Sequence, residues 1–203
     1  MKQKYFLYVY VSLNLISLGI AWLLSPRVFI YLLVYQFFMW FYSHKLSKIL
    51  IINNITFVSL TLYPFFGMMV YYHTFSGKVF LMAVFLFLML LVMDILKDIL
   101  TKNADKIFGY TTIPNTFGTR NAVNVVVALS VLLFTVSMLI ISNTGIHSIL
   151  PLYFAAGLFV IILSVYLLLS SVKKSNFIVL NILRIWVFVG IIAMLLDGII
   201  ERF

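Results

Sequence analysis

Only five residues of this chain carry a carboxylate side chain, and three of them, Asp94, Asp98 and Asp105, fall close together. Asp94 and Asp98 are spaced i, i+4 and therefore share a face if the segment is helical. Lys97, Lys102 and Lys106 are interleaved with them. In a soluble protein such a run is most simply a solvated, salt-bridged helix end. In a chain that otherwise avoids carboxylates, their clustering beside an apolar run points to a site. Carboxylates bind Mg²⁺ through one or two oxygens each and leave coordination positions for substrate phosphates. The neighbouring lysines and Arg120 supply cations able to contact those phosphates directly. The residues imply a place for a metal-bound, phosphorylated, lipid-like substrate.

The elements that must position this cluster follow from composition. The chain of 203 residues is 65% hydrophobic and 9% charged, with a mean hydropathy of +1.18. Too few polar residues remain to cover a water-facing surface, whereas lipid tolerates such a sequence. A net charge of +9 raises the possibility of nucleic acid, but the basic residues sit mostly between apolar runs rather than on one surface segment, so no nucleic-acid partner is expected. The absence of cysteine excludes disulfides and thiolate metal sites.

A membrane-spanning helix needs roughly 20 apolar residues. Seven stretches qualify, running from about Tyr5 to Leu24, Val28 to Tyr42, Ile51 to Tyr72, Val79 to Leu96, Ala122 to Ser142, Ile149 to Leu169 and Phe177 to Ile200. The second is short, and Pro26 suits a first helical turn there. Ser76-Gly77, Asn143-Thr144-Gly145 and the segment from Ser170 to Asn176 break the pattern as loops. The expected fold is all-α, a single polytopic transmembrane bundle of about seven helices. Lys2, Lys4, Lys45, Lys48, Lys97, Lys102, Lys106, Arg120, Lys173 and Lys174 fall on one side, against Arg27, Lys78 and Arg202 on the other. That asymmetry predicts a cytoplasmic N-terminus, an outer C-terminus and a site on the cytoplasmic face.

The run Asp94-Ile95-Leu96-Lys97-Asp98-Ile99, then Asp105-Lys106, Gly109 to Pro114 and Phe117-Gly118, resembles the second aspartate-rich motif of UbiA-type membrane prenyltransferases. It is most similar to the members that make archaeal-type ether lipids, the geranylgeranylglycerol-phosphate geranylgeranyltransferase group. Tyr42-Ser43-His44-Lys45-Leu46-Ser47-Lys48, followed by Asn53-Asn54, resembles a second family segment lying between two helices. The family has nine spans, and this chain looks like the last seven.

The resemblance implies Mg²⁺-dependent transfer of a polyprenyl group from its diphosphate to a lipid or aromatic acceptor, in lipid or quinone biosynthesis, within the cytoplasmic (inner) membrane. It implies partners of three kinds: a polyprenyl diphosphate, a prenyl acceptor and the membrane lipid. Carried over by position, it makes Asp94, Asp98 and Asp105 the metal-binding residues, with Asp98, Asp105 and Lys97 catalytic. Lys48, Asn54, Lys106 and Arg120 become contacts to the diphosphate. The metal would stabilise the charge that develops as the carbon–oxygen bond breaks.

The sequence departs from the family pattern in two respects. The first aspartate-rich motif has no counterpart here, and Thr101 stands where the second motif usually has an aspartate. A hydroxyl is a weaker Mg²⁺ ligand than a carboxylate. Leu100 and Ser47 also replace polar or basic residues. These departures open an alternative: a truncated, non-catalytic relative or assembly partner that keeps the fold. A related expectation is a separately encoded N-terminal segment supplying the missing part.

Other polar residues have plainer readings. Arg184, inside the last span, either faces the cavity or reaches back to the headgroups. Asp197 and Glu201 suit a helix-end role, His44 a place in the loop, and His73 and His147 an interface on the opposite side. One of Asn53 and Asn54 suits an N-cap. Pro64 and Gly67 suit a bend in the third span.

Overall fold

In the computed structural model, residues 3–143, 149–170, 172 and 174–200 are described. Lys2, His147, Lys173, Glu201 and Arg202 lie outside them, as does the side chain of Lys4. The described residues form eight α-helices: α1 (Gln3–Leu24), α2 (Pro26–His44), α3 (Ile52–Tyr71), α4 (Gly77–Ile107), α5 (Ile113–Thr116), α6 (Thr119–Asn143), α7 (Leu150–Leu169) and α8 (Ser175–Ile200). A 3₁₀ turn, Leu46–Lys48, joins α2 to α3. The fold is all-α, as composition requires.

Local chemistry sets several of the boundaries. Ser25 caps α2 by accepting from the backbone N–H of Arg27, with Pro26 in the first turn, where a missing N–H costs nothing. Ser76 caps α4 through the N–H of Val79 at 3.2 Å. The far end of α4 closes on Gly109, at φ +73°. There the N–H of Tyr110 donates to the carbonyl of Asp105 and that of Gly109 to the carbonyl of Lys106. This is a Schellman closure, which favours glycine at the left-handed position.

That closure moves the end of the fourth helix. The apolar run predicts a span ending near Leu96, with Asp105 in the following loop, but α4 continues to Ile107. Nothing between Lys97 and Phe108 breaks a helix, and the first glycine after Gly77 is Gly109. At 31 residues, α4 is about 46 Å long, well beyond the ~30 Å hydrocarbon layer.

Six of the seven long helices are long and apolar enough to cross a membrane; α2 falls outside that set. Arg27, Gln36 and several tyrosines interrupt its short apolar run. Helices α4, α6, α7 and α8 pack into a closed four-helix group, with α3 leaning on α4 and α2 on α3. Among the described residues, α1 packs on α2 alone, where Gln36 Nε2 donates to Ser17 Oγ at 2.8 Å. The core runs through the four-helix group: Met89, Val92 and Leu96 on α4, Val126 and Leu133 on α6, Phe154 and Ile161 on α7, Val179 and Leu183 on α8.

With lipid outside, helix association relies on close packing rather than on hydrophobic exclusion from water. Small residues make the room. Trp186 of α8 lies against Gly157 of α7, and Tyr153 of α7 against Gly190 of α8; the two rings stack with centroids 4.8 Å apart. Between α2 and α3, Tyr31 sits over Gly67 in the same way, and its hydroxyl donates to the carbonyl of Tyr63. Asp197 has the helix-end role expected of it, but for another helix: its carboxylate accepts from the N–H of Ile149 at 2.8 Å, at the start of α7. Arg184 is exposed on the outer surface of α8, its guanidinium 3.5 Å from Asn181 Oδ1.

Candidate functional site

Because α4 stays helical through Asp105, the residues Asp94, Asp98, Thr101 and Asp105 recur at intervals of four, three and four along it. Residues so spaced form a single stripe on one helix face. Asp94 and Asp98 are buried, while Thr101 and Asp105 are half-buried toward the helix end. A buried carboxylate needs compensating donors, and these come from α3.

The side-chain nitrogen of Asn54 donates to Asp94 Oδ2 and to Asp98 Oδ2, both at 2.8 Å. One amide thus spends both of its hydrogens on two carboxylates. Its own oxygen, Oδ1, is buried and has no partner. Lys97 Nζ lies 3.6 Å from Asp94 Oδ1 and 5.3 Å from the centre of the Phe57 ring. Its side chain is about half exposed, so this ion pair adds little stability by itself. Further along the stripe, Thr101 Oγ1 is 2.8 Å from Asp105 Oδ2 and 3.0 Å from the carbonyl of Lys97. A single hydroxyl proton serves only one of those acceptors at a time.

The backbone that delivers Asn54 is unusual. Ile51 has φ 66° and ψ −46°, and the N–H of Ile52 donates to the carbonyl of Leu50 at 2.7 Å. This is a γ-turn of the strained, positive-φ kind, and a β-branched residue is poorly suited to it. Helix α3 starts directly after the turn without any side-chain cap. The expected N-cap role for Asn53 or Asn54 therefore does not hold, because both already lie within the helix. Asn53 instead accepts from the hydroxyl of Tyr42 at 2.7 Å, tying the end of α2 to the start of α3.

These elements enclose a cleft of about 260 Å³, lined by Tyr42, Ser43, Ser47, Asn53, Lys97, Asp98, Thr101, Asp105, Tyr110 and Thr112. It brings together Asp98, Asp105 and Lys97 from the sequence-derived set, with Asn54 and Asp94 joined to Asp98 by the shared amide. Lys48, Lys106 and Arg120 are exposed and do not line it. Lys48 contributes its backbone carbonyl, which accepts from the hydroxyl of Thr111 and anchors the segment after α4. His44 is outside the cleft too, its ring tilted against Trp40 with centroids 4.8 Å apart. Sequence reasoning did not single out Tyr110 and Thr112 as site residues. The signal available for Tyr110 was Gly109, whose left-handed closure folds the following residue back along α4.

Among the described residues, no three His, Cys, Asp or Glu side chains gather closely enough to hold a metal ion by themselves. Asp94, Asp98 and Asp105 therefore form no closed carboxylate cage. What the site offers is two carboxylates on one cleft wall, Asp98 and Asp105, a lysine next to the first of them in sequence, and a neutral amide holding the buried pair Asp94 and Asp98.

A model of the UbiA prenyltransferase family matches residues 1–193 of the chain. No curated protein and no solved structure matches it.

Proposed function

The chain belongs to the UbiA prenyltransferase family, multi-pass integral membrane proteins that move a polyprenyl group off its diphosphate, and from that premise we propose that it transfers a polyprenyl group to a lipid or aromatic acceptor with Mg²⁺. We place the reaction at the cytoplasmic face of the cytoplasmic membrane, where the basic residues beside Asp94–Asp105 would lie. The observation that carries the reading is the stripe Asp94, Asp98, Thr101 and Asp105 along α4, with its outer part opening into a polar cleft.

The donor set fits a magnesium ion shared with substrate. Mg²⁺ is usually held by one or two carboxylates together with phosphate oxygens and water, not by an all-protein cage. Asp98 and Asp105 line the same cleft and supply two such carboxylates. The buried, unpartnered Oδ1 of Asn54 is a further oxygen of the right kind. When bound, the ion would neutralise charge on the diphosphate as it departs.

The protein's own groups have definite tasks in this reading. Asn54 fixes two buried carboxylates against their mutual repulsion by donating to both. Lys97 reaches the cleft and balances charge on the leaving diphosphate oxygen, which takes the electron pair of the broken carbon–oxygen bond. Thr101 steadies Asp105 at the outer end of the stripe. Lys106 and Arg120, exposed around the same end of α4, draw the anionic substrate in rather than holding it in place.

A second reading has its own observation. Thr101 donates to Asp105 where a carboxylate would face it in the family pattern, and the described residues close no three-ligand metal site. A non-catalytic relative that keeps the fold, or an assembly partner, is consistent with that. The test uses the purified chain in lipid nanodiscs, titrated with inorganic pyrophosphate in the presence of Mg²⁺ and then supplied with prenyl diphosphates and candidate acceptors. Transfer establishes the first reading. Loss of metal-dependent binding in Asp98→Ala and Asp105→Ala is expected, and undiminished binding in both would overturn the site assignment. Binding without any turnover favours the second reading.

A further inference from the structure

We infer that Thr112 is a direct ligand for an oxygen of the diphosphate, held by a hydroxyl that the protein itself leaves unused. The inference rests on the reading of the cleft as the diphosphate site. Thr112 is only 2% exposed, it is one of the residues that line the cleft, and its Oγ1 is buried without a hydrogen-bond partner.

The omission is specific to this side chain. Thr112 stands at the N-cap of α5, a position where a threonine hydroxyl ordinarily accepts from a backbone N–H of the first turn. Here no such side-chain bond forms. The first-turn N–H groups of Asn115 and Thr116 are met by the backbone carbonyl of Thr112. Its neighbour Thr111 shows the contrast, since that hydroxyl is spent on the carbonyl of Lys48 and pins the segment. The same short helix carries Asn115, whose amide nitrogen and oxygen are also buried and unpartnered. Of the two, only Thr112 lines the cleft, and its hydroxyl is hydrogen-bonding capacity that the fold does not consume.

A buried hydroxyl without a partner is unfavourable relative to an apolar group of the same shape. Something that enters the cleft is the natural partner. The protein's own carboxylates on that cleft, Asp98 and Asp105, make no hydrogen bond with this hydroxyl. A phosphate oxygen is an acceptor of the required sort, and a hydroxyl donor to an anion forms one of the stronger hydrogen bonds. Lys97 on the same cleft supplies the positive charge that brings such an anion in.

The experiment compares the full chain with Thr112→Val and Thr112→Ser in nanodiscs. Each is titrated calorimetrically with inorganic pyrophosphate in Mg²⁺, and each is melted without ligand. Valine should weaken pyrophosphate binding about tenfold, the factor that one hydrogen bond to a charged group supplies. Its melting temperature without ligand should be unchanged or higher, because an unsatisfied buried hydroxyl has been removed. Serine, which keeps the hydroxyl, should bind within about twofold of the natural chain. Equal pyrophosphate affinity in Thr112→Val would overturn the assignment, as would a marked loss of unligated stability, which would mean the hydroxyl serves the fold. If Asp98→Ala abolishes binding while Thr112→Val leaves it intact, only the Thr112 inference fails. If the natural chain binds no pyrophosphate, the reading of the cleft falls and this inference with it.

Discussion

Asn54 and Asp98 are 44 positions apart in sequence, and the amide nitrogen of one lies 2.8 Å from a carboxylate oxygen of the other. The same nitrogen holds Asp94 at the same distance. Helix α3 is thus joined to α4 by a single neutral group that makes two buried carboxylates tolerable. A lysine at this position would neutralise their charge; an amide satisfies the lone pairs and leaves the charge for a cation to use.

Removing that group should therefore have two effects. Asn54→Leu deprives Asp94 and Asp98 of a donor each, and should cost about 2–4 kcal/mol, since buried acceptors lose their partners with no new solvent access. Thermal or denaturant unfolding in detergent checks the cost. Metal-dependent pyrophosphate binding should fall as well, because the two carboxylates repel and turn apart. A variant of unchanged stability would show that water replaces the amide.

Thr101 sits between Asp98 and Asp105 on the cleft wall. Thr101→Asp places a third carboxylate on it, and should raise Mg²⁺ affinity by about tenfold through added ligand charge. In the absence of divalent cation the same variant should be less stable, because like charges three and four residues apart on a helix repel. Calorimetric titration with Mg²⁺, paired with melting in chelator, reads both. Lower metal affinity would argue that Asp105 does not face the bound cation.

Ile51 holds the γ-turn that starts α3, close before Asn54. Strain of this kind costs on the order of 1–3 kcal/mol in a β-branched residue. Ile51→Gly should relieve it and, after the entropy cost of glycine, leave stability equal or up to about 1 kcal/mol higher. Ile51→Val, with the same branching, should not. Equilibrium unfolding of the two variants side by side is the measurement.

Packing away from the cleft gives a control. A methyl group added at Gly67 would come within 2.6 Å of the Tyr31 ring, whereas one at Gly198 meets nothing within 4 Å. Gly67→Ala should cost about 1–3 kcal/mol by forcing α2 away from α3. Gly198→Ala should be neutral or slightly stabilising in the last turn of α8. Melting in detergent distinguishes them, and equal behaviour would mean that Tyr31 swings aside freely.

Much of the architecture was legible in the chain. Apolar runs too long for a soluble core implied an all-α bundle and, the far end of α4 apart, placed its long helices to within a few residues, because a backbone in lipid must satisfy its hydrogen bonds internally. Ser25-Pro26 announced the start of α2, whereas Ser76-Gly77, which read as a loop break, supplies the cap and the first residue of α4. The spacing of Asp94 and Asp98 announced their common face, which Asn54 confirms by touching both.

Three things were decided only in three dimensions. Hydropathy reports where lipid ends, not where a helix ends, so the polar last turns of α4 read as loop until the closure at Gly109 was seen. That difference puts Asp105 on the stripe with Asp98. One of Asn53 and Asn54 read as a helix cap, because a capping asparagine and a buried one look alike in sequence; the γ-turn at Ile51 moves the helix start ahead of both. The partition of the cations was hidden for a related reason. Lysines and arginines near a carboxylate cluster look equivalent along the chain, yet only Lys97 lies on the face of α4 that meets the cleft, while Lys106 and Arg120 are turned to the outside. Sequence determined which chemistry is present and on which elements. The angles at which α3, α4 and the segment after Gly109 meet decided which of it shares a single space.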